Sequence, residues 1–287
     1  MEETQKWTEQ ISAKHSLLDF KLKEVWEYKD LLVLMVRRNF VANYKQTILG
    51  PLWFFINPII TSLMFTVVFG GIAGIKTGGL PGILFYLSGL TLWNYFQDCL
   101  TGTSSVFRDN ANIFGKVYFP RLIMPLSIVI GNLLKFGIQF FLFLIFLLYY
   151  LFKGEPIQVN IHIILLLPFL LVLMAGIGLG LGMIISSMTT KYRDLSYLLS
   201  FGVSLLMYAT PIIYPISMIY NKLPEKFHWV AMVNPISPII EVFKYGFLGT
   251  GVLSWGGLLY STIFALFSII FGIIIFNKVE RSFMDTV

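Results

Sequence analysis

Charge, cysteine and catalytic motifs are what this chain lacks. Only 13% of its 287 residues are Asp, Glu, Lys or Arg, about half the share usual in soluble domains, and the mean hydropathy is +0.77. An ordinary soluble fold is excluded on those grounds. The single cysteine, Cys99, rules out an intrachain disulfide. GxxxxGK[ST] is absent, so the chain carries no P-loop, and HExxH is absent too. His15, His162 and His228 are scattered, without metal-ligand spacing. The first twenty or so residues are polar and mixed in charge, with no apolar run of the kind a cleavable signal peptide needs. Internal repeats and low-complexity tracts are missing as well.

What is present is a succession of about six apolar stretches with short polar connections. A membrane-crossing helix needs roughly 20 mostly apolar residues, so the pattern predicts an all-α integral membrane protein with six transmembrane helices. The expected spans are about Leu49–Ile75, Ile83–Thr103, Leu126–Phe152, Ile161–Met188, Leu195–Tyr214 and Trp255–Phe276. Three parts are expected: a polar cytosolic lead-in at 1–21, an amphipathic interface helix at 22–46 and the six-span domain at 47–287. The interface helix follows from Val25, Tyr28, Leu32, Met35, Val36 and Phe40 recurring at steps of three and four. A soluble helix docked on a partner reads the same way. In the fourth span Gly176, Gly178, Gly180 and Gly182 permit close helix contact or a local kink. The segment 216–253 is too broken by proline to cross as one helix and predicts two short re-entrant or interfacial helices on the far side.

The net charge of +6 is explained by basic residues at the span ends rather than by nucleic-acid binding. Lys and Arg crowd the N-terminal segment, the connections 104–125 and 189–194, and the tail. The opposite side holds only Lys76, Lys153, Lys222, Lys226 and Lys244. The positive-inside rule therefore predicts that both termini are cytosolic.

Ionisable residues inside the spans are few. Asp98 and Lys135 lie at comparable depth on the second and third spans, so they can pair, either as a structural ion pair or as a polar spot in an aqueous conduit. Carboxylates suited to acid–base chemistry do not gather at midplane, and no metal site is expected. Most of the aromatics, 16% of the chain, fit packing or interfacial belts. Trp53, Phe54, Phe55, Trp93, Tyr95, Phe96, Tyr149 and Tyr150 lie near span ends, where their faces could also stack on sugar rings.

Several ordered segments resemble the membrane subunits of polysaccharide-exporting ABC transporters, the exporters of O-antigen, capsule or teichoic acid chains. They are the run from Arg37 to Trp53 followed by Asn57-Pro58, the connection Asn110–Arg121 followed by Pro125-Leu126-Ser127, Tyr192–Leu195, Ala209–Pro215 and Asn234–Lys244. The resemblance implies a homodimer enclosing a conduit, in the bacterial inner membrane, with two copies of a separate cytosolic ABC ATPase docked beneath. This chain would bind no cofactor, and ATP and Mg would sit on the partner. It implies ATPase-coupling roles for Arg108, Asn110, Lys116, Arg121, Arg193 and Asp194. Arg37, Arg38 and Lys45 become candidates for the pyrophosphate of a polyprenyl-linked polysaccharide, O-antigen first among the cargoes. Trp53, Phe54, Trp93, Tyr95, Phe96 and Tyr149 become conduit candidates. Pro215, Asn234, Pro235, Pro238, Glu241 and Lys244 would form an exit gate, with Glu241 and Lys244 on a polar face beside a water-filled exit. The alternatives are teichoic acid or another amphipathic cargo, a membrane-embedded enzyme of polyprenyl-linked glycan metabolism (against which the dispersal of Asp98, Asp109 and Asp194 counts), and a passive channel.

Overall fold

The computed structural model describes residues 22–283, apart from 43, 44, 46, 115, 118, 193, 223, 225, 227, 228 and 230–232. The described residues are helical, with no strand among them. The interface helix is two pieces, α1 (Leu22–Glu27) and α2 (Lys29–Ala42). Val25 and Met35 are buried, and Tyr28, Leu32, Val36 and Phe40 are half-covered, so the apolar face predicted from the spacing is the face that packs. α1 exposes Trp26, and the uncovered side of α2 exposes Val33 and Leu34 beside Arg37 and Arg38.

A tight turn at Gly50–Leu52, entered with Gly50 at φ 53°, opens α3 (Trp53–Phe65). Pro51 sits where a helix start tolerates it. Beyond Phe65 the helix widens into a π-type stretch, Thr66–Ile72. The next helix, α4 (Gly82–Ser104), is the centre of the fold. Leu84, Phe85, Tyr86, Trp93, Phe96 and Cys99 on it are buried, because α3, α7 (Ile123–Phe152) and α9 (Leu167–Thr189) cover it from different sides. Several of its polar residues find partners inside the protein. Trp93 Nε1 donates to Gln97 Oε1 at 2.8 Å, and Asn94 Nδ2 donates to Gln139 Oε1 on α7 at 3.1 Å. A lipid-facing helix could not hold such residues cheaply.

Between α4 and α7 lie two single-turn helices, α5 (Val106–Asp109) and α6 (Ala111–Phe114). A short α8 (Ile161–Ile164) leads into α9. The next helix, α10 (Leu195–Ala209), stops where Thr210, restricted by Pro211, turns extended at φ −100°, ψ 142°. Then follow α11 (Ile216–Lys222), α12 (Ser237–Leu248) and α13 (Trp255–Phe283).

Among the described residues, four helical stretches are long and apolar enough to cross a membrane: Gly50–Ile72, Ile123–Phe152, Ile161–Thr189 and Trp255–Val279. The other two expected spans differ for separate physical reasons. At 23 residues, α4 is long enough, about 34 Å at 1.5 Å per residue, but it carries buried polar groups in place of a lipid-facing surface. The 15 residues of α10 reach only about 22 Å, because Pro211 ends the helix early.

The glycines of α9 set its packing. A Cβ on Gly178 would lie 2.9 Å from Cys99 Cβ, and one on Gly182 2.5 Å from Thr103 Cβ, both on α4. A Cβ on Gly180 would lie 2.4 Å from the Ser268 carbonyl carbon, and one on Gly176 3.1 Å from Ile269, both on α13. Alternate glycines therefore serve opposite neighbours, giving two small-xxx-small faces on one helix. Gly180→Val would force a side chain into the backbone of α13, where no rotamer relieves it, at a cost of at least about 1–3 kcal/mol. Purified G180V should melt lower and run less monodisperse than wild type. Gly137→Ala, at a position with open space, should leave both unchanged. If G180V melts like wild type, the close crossing is wrong.

Candidate functional site: a polar cleft under the interface helix and a latch at the opposite end

The sequence-predicted residues fall into two groups at opposite ends of the bundle. At the first end α2 lies along α7. Arg38 donates to Asn110 Oδ1 at 3.1 Å, and Asn110 Nδ2 donates back to the Val106 carbonyl at 3.0 Å. Asn39 Nδ2 donates to Ser127 Oγ at 3.2 Å. These bonds fasten the interface helix to α5, α6 and the start of α7. The same region shares an apolar core in which Val25, Met35, Phe107, Phe114, Ile123 and Phe276 meet, with Phe107 stacked on Phe276 at 4.4 Å between ring centres. The short helices thus contact both the interface helix and α13.

Beneath α2 is a cleft of about 490 Å³. Arg38 lines it from α2, Asp98 from α4, Asp109 and Asn110 from the connection, and Asn132 and Lys135 from α7. The pairing expected from sequence is made: Lys135 Nζ lies 3.4 Å from Asp98 Oδ2, with side-chain exposures of 18% and 39% respectively. Of the headgroup candidates, Arg38 faces the cleft, whereas Arg37 and Lys45 are exposed and are not among its lining residues.

The coupling candidates divide in the same way. Arg108, Lys116 and Asp194 are exposed, and Arg108 Nε donates to its neighbour Asp109 at 3.0 Å. Asn110 is buried in the bonds just described. Arg121 is only 7% exposed, with its guanidinium 5.4 Å from the Phe114 ring centre. It is turned inward because Phe119 and Leu122 on either side are drawn into the core, so its sequence-predicted place at a docking surface is corrected. Arg193 lies outside the described residues.

The conduit candidates are corrected more sharply. Trp93, Tyr95 and Phe96 are buried in the core, because α4 is covered by protein along these positions. Trp53 and Tyr149 are exposed, and Phe54 is half-covered, stacked on Phe40 at 5.6 Å. Sequence reasoning missed α10, which exposes Tyr197, Phe201 and Tyr208 together with Ser200 and Ser204. The signal was available: those positions recur at steps of three and four.

At the opposite end, α12 is held from several sides. Lys244, 1% exposed, donates to the Pro211 carbonyl at 2.6 Å, and its Nζ sits 3.7 Å from the Phe85 ring centre. Glu241, 2% exposed, lies near the backbone N–H groups of Val252 and Ile216, and its Oε1 lacks a hydrogen-bond partner. Burial pushes the Glu241 carboxyl above its usual range, against the opposing effects of Lys244 and the two backbone donors. Burial likewise pushes Lys244 down. The polar face expected beside a water-filled exit is therefore internal, with Lys244 held by the carbonyls freed where α10 breaks.

Asn234 completes the latch. Its Nδ2 donates to Thr210 Oγ1 at 2.8 Å, and its Oδ1 accepts from the Ile236 N–H at 3.0 Å. Ser261 on α13 donates to the Pro235 carbonyl at 2.6 Å, and Pro238 packs against Gly257. Pro215 instead lines a separate cavity of about 530 Å³ with Lys76, Met218 and Asn221. Among the described residues no group of His, Cys, Asp and Glu could hold a metal ion.

A family model described as ABC-2 type transporter matches residues 30–248. The chain is 30% identical over 260 residues to an O-antigen export system permease protein RfbA of Klebsiella pneumoniae, covering 89% of this chain and 94% of that one. A protein of the same name from Myxococcus xanthus is 28% identical over 223 residues, 78% and 82% of the two chains. The inner membrane transport permease YadH of Escherichia coli (strain K12) is 24% identical over 235 residues, 79% and 83% of the two chains. The family match takes in the α2 interface helix, the α5–α6 connection and the α12 latch together, and the chain belongs to the ABC-2 type transporter family as a membrane permease subunit.

Proposed function

We propose that this chain is the transmembrane subunit of an ATP-driven exporter that moves a lipid-linked polysaccharide, O-antigen on a polyprenyl pyrophosphate, from the cytosolic to the outer side of a bacterial inner membrane. It works as a homodimer with two copies of a separate ATPase. All six expected spans contribute, α4 and α10 as inner and broken members, and both termini are cytosolic. The observation that carries the reading is the pairing of a polar cleft with an apolar bundle, under a family match in which the relatives' names specify O-antigen export. An amphipathic cargo with an anionic head needs both environments. Teichoic acid, which shares that chemistry, is the second reading.

The α5–α6 connection is the coupling element. Its inner face is bonded into the core, and its outer face exposes Arg108, Asn112, Lys116 and Val117. A partner that pushes on this face moves the interface helix and α13 with it as one body. The uncovered aromatic and serine side of α10, with Trp53 and Tyr149, is suited to sugar faces across a dimer axis. At the exit end, α12 is released only if its bonds to the broken end of α10 give way.

Deleting the gene should remove polysaccharide from the cell surface and leave lipid-linked glycan inside, and re-expressing the chain should restore export. Unchanged surface polysaccharide in the deletion strain would overturn the assignment. Reversing charge at Arg108 and Lys116 together (R108E/K116E) should reduce copurification of the ATPase several-fold while the permease still inserts. Unchanged copurification would remove this face as the dock. For the gate, Val233 is exposed where α12's own residues are mostly buried. In a Cys99→Ser background, a disulfide between two copies of Val233→Cys should stop export, and reductant should restore it. Full export through the crosslinked dimer would rule the gate out.

A further inference from the structure

The cleft under α2 holds more charge than a topology determinant needs. Two cations and two carboxylates line it: Arg38, Lys135, Asp98 and Asp109. Each carboxylate is already beside a cation, Asp98 at Lys135 and Asp109 at Arg108. Arg38 makes no salt bridge among the described residues and donates instead to the amide oxygens of Asn39 and Asn110. The resting cleft is therefore close to neutral, with one cation engaged only by neutral acceptors and a second neutralised within the membrane-spanning part of the bundle.

Lys135 is the unusual residue. It lies about 18 Å from the start of α7 at 1.5 Å per residue, a depth at which an ionised lysine is costly and marks function by default. Its bond to Asp98 is long at 3.4 Å, against about 2.7–2.9 Å for a tight ammonium–carboxylate contact. Asp98 is also the more exposed member of the pair. A structural pair would be expected to be shorter and to have the rest of its hydrogen-bonding capacity satisfied. The same helix face brings Asn132 and Gly131 to the cleft wall one turn before Lys135, leaving room beside the ammonium.

We propose that Lys135 and Arg38 together hold the diphosphate of the lipid-linked cargo in this cleft, and that Asp98 is an exchangeable counter-ion occupying Lys135 until the anion arrives. The inference rests on the exporter reading and deepens it, by naming the inner cation and its mode of release. Arg38 meets the headgroup first from the interface helix. The anion then takes the place of Asp98 at Lys135, and Asp98, freed toward the open side, repels a second anion. No bond is made or broken and no proton moves. Neutral lipids lack the charge to displace Asp98, so the pair acts as a filter for anionic headgroups.

The test uses the full permease–ATPase complex in phosphatidylcholine nanodiscs, with undecaprenyl diphosphate, undecaprenol and inorganic pyrophosphate as probes and binding read by native mass spectrometry. Lys135→Met should weaken undecaprenyl diphosphate about tenfold, in keeping with loss of a charged hydrogen bond, and leave undecaprenol unchanged. Asp98→Asn should tighten the diphosphate several-fold. The double variant should bind as weakly as K135M. A plain structural pair gives the opposite pattern: both single variants lose binding or yield, and the double variant recovers it. That pattern, or no change in any variant, would overturn the proposal. Lys135-dependent binding of pyrophosphate as tight as that of the lipid would assign the site to a free anion and overturn the headgroup assignment. Stimulation of ATP hydrolysis by lipid-linked glycan in wild type is scored separately. If it is absent, the exporter reading fails; if it is present while the variants bind like wild type, only the counter-ion proposal fails.

Discussion

Everything in this subunit depends on how closely α9 approaches its two neighbours. Lipid tails are as apolar as leucine, so helices in a membrane gain little from hydrophobicity alone and associate through packing and polar contacts. Gly178, Gly180 and Gly182 of α9 let α4 and α13 come within a distance that a Cβ would forbid without a shift, and Gly176 adds a tight contact to Ile269. That approach encloses α4 and lets it carry Asn94, Gln97 and Asp98 through the bundle at tolerable cost. It also draws Phe276, near the end of α13, onto Phe107 of the α5–α6 connection. The cleft and the packing of that connection follow from one packing decision made several turns away.

The two ends of the bundle solve different problems with the same chemistry. At one end, Asn110, Arg38 and Asn39 tie an amphipathic helix to the α5–α6 connection and the start of α7. At the other, Lys244 and Asn234 tie α12 and its lead-in to the Pro211 carbonyl and the Thr210 hydroxyl where α10 breaks. Each is a place where backbone regularity fails, and in a low-dielectric setting such failures must be answered by side chains.

The helical architecture was legible in the sequence because a long apolar run satisfies its backbone in lipid chiefly as a helix. The apolar spacing of α2 and the Asp98–Lys135 pairing were readable from residue order, whereas the expected fifth span ran on to Tyr214, past the break at Thr210-Pro211. Burial was harder to read. Trp93, Tyr95 and Phe96 look like interfacial aromatics in sequence, yet they sit in the core because α4 is surrounded, a fact of tertiary packing that no window of sequence contains. Arg121, Glu241 and Lys244 misled for the same reason: a charged residue in a short connection is usually solvated, and here a ring face, backbone donors and broken-helix carbonyls took the place of water. The serine and aromatic stripe of α10 was legible by period alone but was hidden behind the expectation of an ordinary span.

The most direct measurement of the exporter mechanism is translocation in proteoliposomes that contain only this permease, its ATPase and lipid-linked polysaccharide. With ATP supplied on the side where the ATPase sits, glycan should become accessible to a lectin confined to the opposite side, at a rate that falls to background without ATP or without the permease. Glycan that stays inaccessible while ATP is hydrolysed, or that crosses equally without ATP, would contradict an ATP-driven polysaccharide exporter.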